Sequence, residues 1–167
     1  VNQITLGNGS NDVLEMIART FVSADQQVLF SEFAFAVYPI VTQAIGATAK
    51  VAKAGDGVNW PQYGHDLDAM LALVSEQTAV IFIANPNNPT GTWITPEKLL
   101  KFLSQLPEHV IVVLDEAYFE YVETSPESDT VKWLTQFPRL IITRTFSKAY
   151  GLAGLRVGYA LSHPDIA

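Results

Sequence analysis

Four groups of polar residues stand beside apolar runs in this sequence, and each contains side chains able to do chemistry. The richest is Thr143-Arg144-Thr145-Phe146-Ser147-Lys148, followed by Ala149-Tyr150-Gly151-Leu152-Ala153-Gly154-Leu155-Arg156. A solvated basic turn would account for any one of these residues. It accounts poorly for hydroxyls, a lysine and glycines gathering directly behind an apolar stretch. The second group is Asp115-Glu116-Ala117-Tyr118, behind Val-Ile-Val-Val-Leu. Acidic residues in that position also hold Mg²⁺ in P-loop nucleotide hydrolases. That chemistry requires a G-x-x-x-x-G-K-[ST] loop, which the sequence does not contain. A capping aspartate would look the same.

The third group, Asn85-Pro86-Asn87-Asn88-Pro89-Thr90-Gly91, combines three asparagines and two prolines in a stiff polar loop. A plain turn has this composition, but a rigidly held asparagine is also a good donor to a ring oxygen. The fourth, Gly7-Asn8-Gly9-Ser10-Asn11-Asp12, opens a helical pattern. Glycine lets backbone approach an anion, and the free N–H groups of a helix start favour phosphate. A turn with a helix cap reads equally well. The dinucleotide fingerprint is ruled out because Asp12 occupies the place of its third glycine.

Other chemistries find no support. His65, His109 and His163 are scattered, with no metal-binding spacing, and are expected on the surface. No G-x-S-x-G nucleophile elbow occurs, and with no cysteine there is neither a disulfide scaffold nor a thiolate metal site. No metal ligands are therefore expected.

The elements that must position these groups follow from periodicity. Leu14, Ile17, Ala18 and Phe21 share a helix face, with Ser10 or Asn11 as the expected N-cap. A strand is expected over 27–31, a helix over 38–46, a strand over 48–53 and a helix over 65–74. Residues 79–84 and 110–114 are continuous apolar runs, the mark of strands buried on both faces. Between them Thr95-Pro96 supplies a cap and an N1 proline for a helix reaching Leu106. Residues 140–145 form a further strand, and 156–161 are a candidate for one more. Strands alternating with helices predict an α/β fold, a mostly parallel sheet flanked by helices in three layers. Ligands of such sheets sit beyond the carboxyl ends of the strands, where the polar groups fall.

At 167 residues, 49% hydrophobic and 16% charged, the chain suits one domain with a real core. A formal net charge of −7 argues against nucleic-acid binding. The longest aliphatic run, Val110–Leu114, is far short of the roughly 20 residues that span a bilayer, so no membrane association is expected. No basic-then-apolar leader opens the sequence, and a cytoplasmic location fits the lack of cysteine. Because the sequence begins with Val1, a preceding segment is expected.

The whole pattern, from Gly7 to Tyr159, resembles the fold-type I pyridoxal-phosphate (PLP) aminotransferases, and within them the histidinol-phosphate aminotransferase branch. Asn-Pro-Asn-Asn-Pro-Thr-Gly, Asp-Glu-Ala-Tyr and Ser-Lys-Ala-Tyr-Gly-Leu-Ala-Gly-Leu-Arg occur in that family's order and approximate spacing. The resemblance implies that Lys148 binds pyridoxal 5'-phosphate covalently and then serves as the base in proton transfer. Asp115 matches the carboxylate that partners the pyridine nitrogen. Asn88 and Tyr118 match the groups that hydrogen-bond the ring's phenolic oxygen. Gly9, Ser10, Asn11, Thr145, Ser147 and Arg156 match the phosphate cup, where arginine suits a bidentate contact. Counting back from Tyr38 makes Phe35 the ring-stacking aromatic, with Phe33 the alternative.

Ser10-Asn11-Asp12 departs from the family's more usual Ala-Asp-Glu, a mild change in a loop that works through backbone. Members of the family are considerably longer. Residues 1–167 therefore correspond to a partial PLP-binding large domain, without the N-terminal arm or the small C-terminal domain. The implied reaction moves an amino group from histidinol phosphate, or a similar small-molecule donor, to 2-oxoglutarate, a 2-oxo acid. The alternatives are an aromatic or broad-specificity aminotransferase, a related PLP decarboxylase, or an inert fragment. The full-length protein is expected to be a homodimer, and the isolated 167 residues to be inactive.

Overall fold

Continuous apolar strands must be covered on both faces, and the computed structural model, which describes residues 2–122 and 129–167, has that arrangement. Seven strands form one sheet in the order β1-β7-β6-β5-β4-β2-β3. They are β1 (Ile4–Asn8), β2 (Gln27–Ser31), β3 (Thr48–Ala52), β4 (Thr78–Ala84), β5 (Ile111–Asp115), β6 (Leu140–Thr145) and β7 (Val157–Ser162). The helices are α1 (Ser10–Phe21), α2 (Val37–Ala44), α3 (Leu67–Ala72) and α4 (Pro96–Leu103). Strands β3, β2, β4, β5 and β6 run parallel, whereas β7 is antiparallel to both β6 and β1. The expected mostly parallel, helix-flanked sheet is what forms.

Side-chain alternation divides the core in two. Val80, Phe82 and Ala84 of β4 pack with Ile111 and Val113 of β5 under α1 and α2. Ile81 and Ile83 pack with Val112 and Leu114 against Met70 of α3 and Leu99 and Phe102 of α4. Every residue of β2, β4 and β5 is buried, which explains why these runs show no polar alternation.

Several expectations shift. Strand β1 went unread because it is an edge strand whose side chains alternate between exposed and half-buried, leaving no apolar run. Helix α1 starts at Ser10 with Gly9 in the N-cap position, so neither Ser10 nor Asn11 caps it. Helix α3 covers 67–72 rather than 65–74, because the Asp66 carboxylate accepts from the Ala69 N–H at 2.9 Å and starts the helix there. His65 is drawn out of it into a bridge with Ala54.

His65 also corrects the expectation of surface histidines. It is 1% exposed, and its Nε2–H donates to the Ala84 carbonyl at 2.8 Å, while Nδ1 has no partner among the described residues. His109 is exposed and His163 half-buried. Burial pushes the His65 imidazole down from 6.5 to about 4, against the smaller opposing pull of the Ala84 carbonyl. The unfolded chain therefore binds the proton more readily between those values, and His65 contributes stability that is complete above pH 6.5 and lost as pH falls toward 4. Urea denaturation of the protein and of His65→Gln should show the wild type losing about 3 kcal/mol relative to the variant across that interval. Parallel pH profiles would refute the assignment.

Candidate functional site

The carboxyl ends of β4, β5 and β6 lie in register, Ala84 beside Asp115 and Asp115 beside Thr143. Alternation then sends neighbouring residues to opposite faces. Asp115 and Thr143 turn toward the α1/α2 face, where the Thr143 hydroxyl donates to Asp115 Oδ1 at 3.0 Å. From α2 the Tyr38 hydroxyl donates to Asp115 Oδ2 at 2.9 Å. The Ala117 N–H also bonds the carboxylate. Burial raises the Asp115 carboxyl above its ordinary range. The Tyr38 and Thr143 hydroxyls, the Ala117 N–H and the Lys148 charge oppose that shift in turn.

The residues one step along, Glu116 and Arg144, form a separate assembly. Arg144 Nη2 lies 2.8 Å from Glu116 Oε2, the Thr130 hydroxyl donates to Glu116 Oε1 at 2.7 Å, and the guanidinium sits 3.8 Å from the centroid of the Phe119 ring. Burial raises the Glu116 carboxyl, opposed chiefly by Arg144. This pair braces the turn that follows β5 without facing the site.

Asp115 opens onto a cavity of about 200 Å³ whose wall also includes Asn88, Tyr118 and Lys148. The Lys148 ammonium lies 5.3 Å from the centroid of the Tyr118 ring. Ser10, Asn11, Thr145, Ser147, Arg156 and Phe35 complete the set of expected residues lining it. Of the two phenylalanines it is Phe35 that faces the cavity. Phe33 instead meets Tyr63 edge-on at 5.2 Å.

Because β7 runs against the other strands, its first residues return to this same edge of the sheet and bring Arg156 with them. Arg156 sits in the left-handed region at φ 51°. Its Nη1 donates to the Ser147 hydroxyl at 3.3 Å and the Ala153 carbonyl at 3.1 Å, and its Nη2 to the Asn8 carbonyl at 3.3 Å. Gly9, at φ +83°, does not line the cavity itself. A Cβ there would run into the Arg156 guanidinium, so the glycine is what allows arginine beside the start of α1. Gly158 does the same for the helix backbone, since a Cβ on it would meet the Ser10 nitrogen.

Of the expected residues, all but Gly9 therefore converge on one cavity. The donors suit a flat heterocycle with an anionic tail. First-turn N–H groups of α1, two hydroxyls and a guanidinium favour an anion, while a buried carboxylate and a lysine amine open onto the same space as Asn88 and Tyr118. Sequence reasoning gave no role to Thr143 and used Tyr38 only as a landmark for counting. Aligning β5 with β6 would have found Thr143. Tyr38 could be found only from the packing of α2. Among the described residues no group of three or more histidines, aspartates and glutamates is arranged to hold a metal ion. No helix among them is long and apolar enough to cross a membrane.

The family model for aminotransferase class I and II matches residues 1–167. The chain belongs to that family. Among curated aminotransferases, histidinol-phosphate aminotransferase 2 of Methylococcus capsulatus is 60% identical over 99% of this chain and 44% of its own length. Histidinol-phosphate aminotransferase 1 of Idiomarina loihiensis is 58% identical over 99% of this chain and 43% of its own. The crystal structure of the Sinorhizobium meliloti histidinol-phosphate aminotransferase, in complex with pyridoxal-5'-phosphate, superposes with a TM-score of 0.88 at 34% identity. It covers 99% of this chain and 43% of that one. The chain thus spans less than half the length of these aminotransferase relatives.

The brace beneath the site has a measurable weight. Glu116 and Arg144 are 6% and 15% exposed in their side chains. Removing one partner strands the other, so Arg144→Ala should cost about 3–5 kcal/mol of unfolding free energy. A change under about 1 kcal/mol in urea denaturation would mean the pair is as weak as a surface salt bridge.

Proposed function

We propose that this chain is the greater part of the PLP-binding large domain of a transaminase that moves the amino group of histidinol phosphate to 2-oxoglutarate. The observation that carries the reading is the opening of Lys148 and Asp115 onto a single cavity. The identity of 52–60% to relatives named as histidinol-phosphate aminotransferases favours that donor over an aromatic amino acid. Bound PLP would supply an aldehyde that captures amines and a ring that accepts electrons.

The chain's own residues divide the remaining work. Asp115, facing the cavity, would hold a proton on the ring nitrogen and so favour electron flow into the ring. Asn88 and Tyr118 would hydrogen-bond the ring's phenolic oxygen and orient the ring. Phe35 covers one face of the ring and excludes water there. Arg156, the hydroxyls of Thr145 and Ser147, and the N–H groups at Ser10 and Asn11 neutralise the phosphate, with Gly9 leaving room for the guanidinium. Lys148 anchors the cofactor through its Nζ. The same amine, when free, would be the base that takes the proton from the substrate Cα. The working enzyme in this reading is a cytoplasmic homodimer with further chain on both sides of these residues, and the isolated 167 residues are inactive.

The full-length enzyme carrying this chain should show a saturable near-visible absorbance band with PLP, absent in Lys148→Ala. It should transfer nitrogen from histidinol phosphate in preference to phenylalanine or tyrosine. A band that persists in Lys148→Ala, or equal use of the aromatic donors, would defeat the lysine assignment or the substrate assignment respectively. Asp115→Asn should retain PLP yet slow transamination by orders of magnitude, and near-normal turnover would remove Asp115 from the ring-nitrogen role. Arg156→Ala should weaken PLP binding about 10- to 100-fold, the loss of a charge-assisted contact. Unchanged affinity in a fluorescence titration would contradict the phosphate role.

A further inference from the structure

Tyr38 has a chemical position that neither the sequence motifs nor the family match assigns. It is 0% exposed, in the first turn of α2, and its ring stacks on Phe82 of β4 at 4.7 Å with 6° between the planes. Phe35, which lines the cavity, meets it edge-on at 5.8 Å, and Phe30 packs at 6.5 Å. Held on these sides, the phenol has one polar destination among the described residues, Asp115 Oδ2 at 2.9 Å. Thr143 occupies the other carboxylate oxygen. Two hydroxyls thus grip the two oxygens separately, which defines the plane of the carboxylate as well as its place.

We propose that Tyr38 is a positioning residue for Asp115, its hydroxyl acting with that of Thr143 to fix the carboxylate plane and keep its charge directed into the cavity. The inference rests on the PLP reading above, in that the group to be met there is the ring nitrogen. A phenol suits the task because burial and the neighbouring Asp115 charge push its own ionisation well above the ordinary tyrosine range, so it remains a donor throughout. The other charged groups near Asp115 are Lys148, across the cavity, and Glu116, on the opposite face of the sheet. Neither bonds the carboxylate in the structure, so its orientation is set by the two hydroxyls together with the Ala117 N–H.

The test uses Tyr38→Phe in the full-length enzyme, since phenylalanine keeps the ring stack and removes only the hydroxyl. Binding of PLP is compared with binding of an analogue whose ring nitrogen is replaced by carbon. Tyr38→Phe should weaken PLP about 10-fold or more, the cost of one hydrogen bond to a charged group, and leave the analogue's affinity unchanged. Equal weakening of both ligands would mean that Tyr38 acts by packing alone, and no weakening of PLP would mean that it does not act. A second readout needs no cofactor: isotope-edited infrared titration of the Asp115 carboxyl in the ligand-free enzyme. The variant's protonation midpoint should move upward, and an unmoved midpoint overturns the proposal. If wild-type enzyme fails to bind PLP through Lys148, the functional reading falls by itself, and the infrared titration still decides whether Tyr38 governs Asp115.

Discussion

A carboxylate buried at the end of a central strand is costly unless its oxygens are met, and the organisation of this molecule follows from how Asp115 is met. Burial alone would favour the neutral acid. Two hydroxyls and a backbone N–H supply the compensation, and a lysine across the cavity supplies the opposing charge. Each of those partners comes from a different part of the chain. The site exists only when α2, β5, β6 and the loop after β6 are assembled together.

Strand alternation does the sorting. At the carboxyl ends of β5 and β6 the neighbours Asp115 and Glu116, and likewise Thr143 and Arg144, are adjacent in sequence and opposite in orientation, giving the pairs Asp115–Thr143 and Glu116–Arg144. One pair looks toward α2 and belongs to the cavity. The other looks toward the turn carrying Phe119 and fastens the segment that also holds Tyr118. Two carboxylates side by side thereby acquire separate work, one facing the cavity and one holding the scaffold, and neither shares its partner with the other.

The reversed strand β7 is the second device. A sheet of parallel strands alone presents only carboxyl ends at the ligand edge. Running β7 the other way returns its amino end to that edge, so Arg156 joins residues from the start of α1 and the end of β6. Close approach of three backbone segments there explains the two glycines. Gly9 yields space to the arginine and Gly158 to the helix start.

Much of this was legible in the sequence alone. Continuous apolar runs at 79–84 and 110–114 had to be strands covered on both sides, because so many adjacent apolar side chains have nowhere else to go, and the polar groups behind them had to lie at one sheet edge. Residue type and order, through the family resemblance they carry, were enough to single out Lys148, Asp115, Asn88, Tyr118 and the polar set around Ser10 and Arg156 that line the cavity. Tertiary structure decided what depends on contact between distant segments. It turned Phe35 rather than Phe33 toward the cavity, buried His65 against Ala84, added the solvent-facing edge strand β1, and brought the Tyr38 hydroxyl to Asp115 from 77 positions away in the chain. Periodicity reports which face of an element is apolar. It carries no information about which polar atom on another element will complete a hydrogen bond there, because that is determined by how the layers pack.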